Sequence, residues 1–206
     1  MTWKFDHFFF LNRADRPDRR VFMEEQAAKL KLTCTRIEAP ALDEPAFRFM
    51  NKRVRSNWIG HEMMVEQGIQ LKRPFCVLED DAWIFKADKI IECVNEIQSI
   101  ENWDLLYFYD GTKDFPIIYG TLNTHAYLVN DKSAEKLLNL LRQKRVELEK
   151  EGEKEFDSFL DRFMIKMMGE DKLIVRGAQT LIIQDRQKFG SDIGWGCDGN
   201  PRIIED

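Results

Sequence analysis

Residues 74–84 read Pro-Phe-Cys-Val-Leu-Glu-Asp-Asp-Ala-Trp-Ile, and they constrain this chain more than any other stretch. Phe75 to Leu78 is an unbroken apolar run behind a proline, the pattern of a strand buried on both faces of a parallel sheet. It stops at three successive carboxylates, Glu79, Asp80 and Asp81. Adjacent negative charges at the end of a buried strand are costly unless something positive answers them. A divalent metal bridging to a phosphate-bearing ligand would do so, and open α/β sheets bind ligands beyond the carboxyl ends of their strands. The competing reading is a strand running into an acidic surface turn.

The rest of the chain supplies the context for that strand. Residues 5–11 read as a first strand, and a helix from about Asp18 to Lys31 follows, with Asp15 or Asp18 as cap and Pro17 in its first turn. A strand leading into a helix N-terminus is a natural anion site, and Arg13, Arg16, Arg19 and Arg20 add positive charge there. Residues 33–38 read as a second strand. Phe47 to Leu71 is mainly helical, with an expected break near Ser56, Asn57 and Gly60; His61 reads foremost as a packing or capping residue. Ile90, Ile91, Val94 and Ile97 lie at helical spacing within a helix over 87–100. Strands are expected at 104–109 and 124–129, a helix from Asn130 or Asp131 to at least Leu141, another from Phe156 to about Met168, and short strands at 173–176 and 180–183. This alternation predicts an α/β sandwich with a largely parallel central sheet, in one domain over 1–206.

Composition narrows the function. A net charge of −5 argues against a general nucleic-acid partner, which needs a basic footprint. No stretch approaches the roughly 20 apolar residues of a membrane span. The run His7–Leu11, preceded by Asp6, is too short for a signal-peptide core. The four cysteines, Cys34, Cys76, Cys93 and Cys197, show no metal spacing, so a reducing, cytoplasmic setting is expected. Neither GxGxxG nor GxxxxGK[ST] follows the first strand, which leaves the dinucleotide and P-loop readings without a motif.

The chain carries, in order, the blocks Phe9 to Arg20, Arg36 to Ala39, Gly60-His61, Val77 to Asp81, Trp103 to Tyr107, Gly120-Thr121 with Ala126-Tyr127, Ser133-Ala134 with Lys136 to Leu138, Phe156-Asp157, Gln184-Asp185 and Ser191 to Ile193. Together they resemble glycosyltransferase family 25, the lipopolysaccharide-type galactosyl- and glucosyltransferases related to procollagen galactosyltransferase. The loop between the Trp103 and Gly120 blocks is shorter than the family's, so the acceptor side transfers least.

The resemblance implies a GT-A-type, Rossmann-like fold. It also implies inverting transfer of a hexose, galactose or glucose foremost, from a UDP-sugar to a glycan or other hydroxyl acceptor with Mn²⁺ or Mg²⁺. Asp81 would ligate the metal, with Glu79 and Asp192 as further ligand candidates and Asp185 or His125 as rivals to Asp192. Asn12, Arg13, Arg16, Ala39, Glu79 and Asp80 would contact the donor. Asp157 is the first choice for the base that deprotonates the acceptor, with Asp110 and Asp192 as rivals. Two alternatives remain: a nucleotidylyltransferase, disfavoured because the first loop lacks glycine, and a degenerate domain that binds glycans or nucleotides without turnover. Trp58, Trp83, Trp103 and Trp195 would either stack on sugars or pack.

Overall fold

The computed structural model describes residues 7–42, 52–84, 86–108, 114–119, 124–151 and 159–184. Its centre is a six-stranded sheet in the order β2-β1-β3-β6-β5-β7. The strands are β1 (His7–Asn12), β2 (Thr33–Glu38), β3 (Phe75–Glu79), β5 (Leu105–Tyr107), β6 (Ala126–Val129) and β7 (Val175–Gly177). β4 (Ala82–Ile84) and β8 (Ile182–Gln184) form a separate antiparallel ribbon. β1 pairs parallel with β2 and β3, and β5 pairs parallel with β7. β6 alone runs antiparallel, between β3 and β5. The sheet is therefore largely parallel, as the alternation of elements predicts.

Side-chain alternation along the inner strands divides the core into two layers. Phe9, Leu11, Phe75 and Val77 face the helices α2 (Lys52–Ile69), α4 (Ala134–Glu151) and α5 (Leu160–Gly169). Phe8, Phe10, Cys76 and Leu78 face α1 (Pro17–Leu30) and α3 (Ala87–Ile97). Helices on both faces of a mostly parallel sheet make this a Rossmann-type α/β sandwich.

Some expectations shift in position. α2 runs unbroken through Ser56, Asn57 and Gly60. Gly60 is there for space, because a Cβ at this position would lie 2.3 Å from a methyl carbon of Leu11. α1 starts without a side-chain cap. Asp15 and Asp18, the expected caps, are instead held by the guanidinium groups of Arg13 and Arg16. Val21 is exposed, and the buried stripe of α1 is Arg19, Phe22, Met23, Gln26, Ala27 and Leu30. β5 is shorter than the span 104–109, and α5 begins at Leu160. No helix among the described residues is long and apolar enough to cross a membrane.

Candidate functional site

The carboxyl edge of β2, β1 and β3 opens into a cleft of about 440 Å³, within the range of small-molecule sites. Asn12, Arg13 and Asp15 line it at the end of β1, Glu38 and Ala39 at the end of β2, Lys52, Arg53, Ser56 and Asn57 at the start of α2, and Glu79, Asp80 and Asp81 at the end of β3. Of the donor-contact candidates, Asn12, Arg13, Ala39, Glu79 and Asp80 therefore share one cavity. Arg16 is not on its wall; its carbonyl oxygen accepts a bond from Asn12 and its guanidinium grips Asp18. The metal candidate Asp81 lies in the same cavity. Asp110, Asp157, Asp185, Asp192 and Trp195 lie outside the described residues.

The three carboxylates do not share one direction. β3 ends at Glu79, and the chain turns at Asp80 and Asp81, so Glu79 and Asp81 are not alternate residues of one strand and do not face one way. Asp80 and Asp81 share a buried cation on α1: Arg19 Nη1 lies 2.7 Å from Asp80 Oδ1 and 3.5 Å from Asp81 Oδ2. Asn12, 1 % exposed, donates to Asp80 Oδ2 at 2.7 Å and to the Arg16 carbonyl at 3.0 Å, and its own Oδ1 accepts from Arg36 Nε at 2.8 Å. Its amide is thus spent on holding Asp80 and the first loop. The wall at Ala39 is fixed by its N–H, which donates to the Asn12 carbonyl oxygen.

Asp81 is the least compensated of the three. Gln184 of β8 donates to its Oδ2 at 3.0 Å. Its Oδ1 is buried and has no hydrogen-bond partner among the described residues. Burial, with the charges of Glu79 and Asp80 and despite the offset from Arg19 and Gln184, pushes the Asp81 carboxyl up to about 7. Burial and the two neighbouring carboxylates thus outweigh the one cation, Arg19, that Asp81 shares with Asp80. A hard cation that also takes phosphate oxygens needs only one or two protein carboxylates. The chemistry of Asp81 Oδ1 fits that role, with Asp80 beside it. No three His, Cys, Asp or Glu side chains among the described residues are grouped to hold a metal ion.

Glu79 turns to the α2 and α5 side. The Thr124 hydroxyl donates to its Oε1 at 3.2 Å, and His61 Nε2 lies 3.6 Å away. His61 is fully buried, and its Nδ1 is 2.8 Å from the Tyr127 hydroxyl. Burial pushes Glu79 up, but His61, His125 and the Thr124 hydroxyl outweigh it and hold the carboxyl below its ordinary range. The rival ligand His125 is buried next to Thr124, and its carbonyl oxygen accepts the Glu79 N–H at 2.8 Å. Asp161, in the first turn of α5, accepts from the N–H and the hydroxyl of Thr124 at 3.1 and 2.7 Å. Burial and the nearby Glu79 charge raise its carboxyl. Sequence reading singled out neither Thr124 nor Asp161, which lie 37 residues apart and join only through the fold. Trp58 and Trp103 are buried and pack, whereas Trp83 is 41 % exposed.

The fold and the site together define a Rossmann-type α/β protein with an acidic, arginine-braced cleft at the carboxyl edge of its sheet. No protein-family model matches the chain, nor does any curated protein. Among solved structures it is similar to a glycosyltransferase involved in the glycosylation of the major capsid of PBCV-1, with 12 % identity over 75 % of this chain and 74 % of that one and a TM-score of 0.49. It is also similar to a mannose-1-phosphate geranyltransferase from Thermus thermophilus, with 10 % identity over 93 % of this chain and 81 % of that one and a TM-score of 0.43. At these values neither likeness bears on chemistry, which rests on the residues of the cleft.

Proposed function

We propose that this chain is a metal-dependent hexosyltransferase that moves galactose or glucose from a UDP-sugar to a glycan or other hydroxyl acceptor. The observation that carries this reading is the buried Oδ1 of Asp81, without a hydrogen-bond partner among the described residues, on the wall of a cleft of about 440 Å³ and beside an Asp80–Arg19 ion pair. Asp81, with Asp80 next to it, would hold Mn²⁺ or Mg²⁺; when bound, the cation neutralises charge that grows on the departing diphosphate.

The chain's own residues do the rest. Asn12 and Arg19 hold Asp80 in place, so that the turn after β3 is rigid before a ligand arrives. Arg13, Lys52 and Arg53 supply positive charge to the cleft wall for the phosphates, while Asn12 and Ala39 shape the nucleoside end. Arg13 is paired with Asp15 in an exposed pair, and such pairs are weak enough to be exchanged for phosphate. Transfer with inversion forms a bond between the acceptor oxygen and the anomeric carbon as the bond to the diphosphate breaks. The acceptor's proton passes to a carboxylate base, for which Asp157 is proposed, with Asp110 and Asp192 as rivals; Asp192 is proposed as a further metal ligand.

Binding and hydrolysis of UDP-, GDP- and CMP-sugars, each with Mn²⁺ and with EDTA, tests this. Metal-dependent selection and turnover of one UDP-hexose is expected. Metal-independent binding without turnover would favour a degenerate nucleotide- or glycan-binding domain. No binding of any nucleotide sugar would overturn the proposal.

A further inference from the structure

Along the carboxyl edge of the sheet, the cleft runs from Ala39 after β2, past Asn12 of β1, to Glu79 of β3. Thr124 precedes β6, the next strand in the sheet, and so flanks the Glu79 end. A ligand lying along this edge, with its nucleoside near Ala39 and its phosphates near Asp81, brings what lies beyond the phosphates to Glu79.

Glu79 is built for that end. Its side chain is 22 % exposed. Its Oε1 faces the Thr124 hydroxyl and His61, while no hydrogen bond to Oε2 occurs among the described residues. Thr124 has one hydroxyl hydrogen, and that hydrogen faces two carboxylates, Asp161 at 2.7 Å and Glu79 at 3.2 Å. The bond to Glu79 is the longer, so the protein locates this carboxylate without saturating it. A carboxylate has about four acceptor positions, and sugar hydroxyls are donors that can fill them. Asp161 grips Thr124 twice, through its backbone N–H and its hydroxyl, which fixes where that hydroxyl sits. On the other side His61 is anchored by Tyr127.

We propose that Thr124 and Asp161 are positioning residues that hold Glu79 as the acceptor for the hydroxyls of the donor's sugar, an inference that rests on the nucleotide-sugar reading above. The sugar and the nucleotide are then read by separate groups: the hexose by Glu79 and its Thr124–Asp161 brace, the nucleotide by the cleft from Ala39 to Asp81.

Calorimetric titration of the full chain with UDP-glucose and UDP-galactose, and with UDP as the sugar-free probe, all with Mn²⁺, tests the separation. Thr124→Val is expected to weaken binding of the preferred UDP-hexose about tenfold, the size of one lost hydrogen bond to a charged group. UDP itself should bind within about twofold of wild type, and Thr124→Ser should restore the hexose preference. Should Thr124→Val not fold, Asp161→Asn gives the same comparison, since an amide cannot reproduce the charged brace. Equal loss for UDP and UDP-hexose, or no loss for either, would overturn the positioning role while leaving the nucleotide-sugar reading intact. Wild-type protein that binds neither UDP nor a UDP-hexose would overturn that reading and this inference with it.

Discussion

Arg19 Nη1 lies 2.7 Å from Asp80 Oδ1, an ion pair that ties the first turns of α1 to the end of the central strand beneath the cleft. Both side chains are almost inaccessible to solvent, and the same nitrogen is 3.5 Å from Asp81. Removing the cation strands two buried carboxylates. Arg19→Met is therefore predicted to cost about 3–5 kcal/mol, the usual range for breaking a buried pair from one side. Urea unfolding at neutral pH measures it; a loss under about 1 kcal/mol would mean that water already reaches the pair.

Asp81 makes the metal-free protein sensitive to pH. Its folded carboxyl sits at about 7, above the ordinary carboxylate value of 3.8. The folded state therefore holds a proton that the unfolded state has released. The stability from this group is full below about pH 4 and is lost as the pH rises through about 7. Asp81→Asn should flatten that part of the profile. Thermal unfolding of wild type and variant between pH 4 and pH 8 with EDTA decides it, and parallel profiles would count against the assignment.

The same carboxylate should govern the metal. Below about pH 7 a cation must displace the Asp81 proton, so Mn²⁺ affinity is expected to fall about tenfold per pH unit. Asp81→Ala should abolish metal-dependent UDP binding while leaving the circular dichroism spectrum unchanged. Wild-type-like binding in that variant would remove Asp81 from the metal site.

Asp104 is a latch rather than a site. It accepts from Ser133 at 2.5 Å, from Lys136 at 2.7 Å and from the Ile174 N–H at 2.8 Å, tying β5 to α4 and β7. Burial pushes its carboxyl up, but these donors outweigh burial and hold it below its ordinary range. Its stabilisation is present above the unfolded carboxylate value and is lost as the pH falls through the depressed one. Asp104→Ala is predicted to cost about 1–3 kcal/mol at pH 7, with less difference from wild type in acid. Chemical denaturation at pH 7 and at pH 3 would show whether that difference narrows.

Gly68 fills a packing gap between α2 and β3. A Cβ there would lie 2.3 Å from the Phe75 ring, which is fully buried. Gly68→Ala should destabilise by about 1–3 kcal/mol through overpacking, despite alanine's better helix propensity. A variant as stable as wild type in a thermal melt would show that the ring can move aside.

The hydrophobic periods of β1, β3 and α3 and the acidic stop at Glu79 were legible along the chain, because each is a local pattern answering to one face or one end of an element. The acidic stop placed Glu79, Asp80 and Asp81 at a strand end, the family resemblance implied donor contacts at Asn12 and Ala39, and all five residues line one cleft. The reversal of β6 was not legible, since Ala126 to Val129 is apolar throughout and reads the same in either direction. Nor was the divergence of Glu79 from Asp81, which follows from where the strand stops and which partners stand on each side. Arg19 is 61 residues from Asp80, and Thr124 is 45 from Glu79. Local sequence therefore determined which elements form and where the charge collects, because those depend on neighbours in the chain. Tertiary structure alone decided that Arg19 neutralises Asp80, that Asp81 Oδ1 has no hydrogen-bond partner among the described residues, and that Thr124 stands between Asp161 and Glu79, because electrostatic compensation depends on distances that only packing sets.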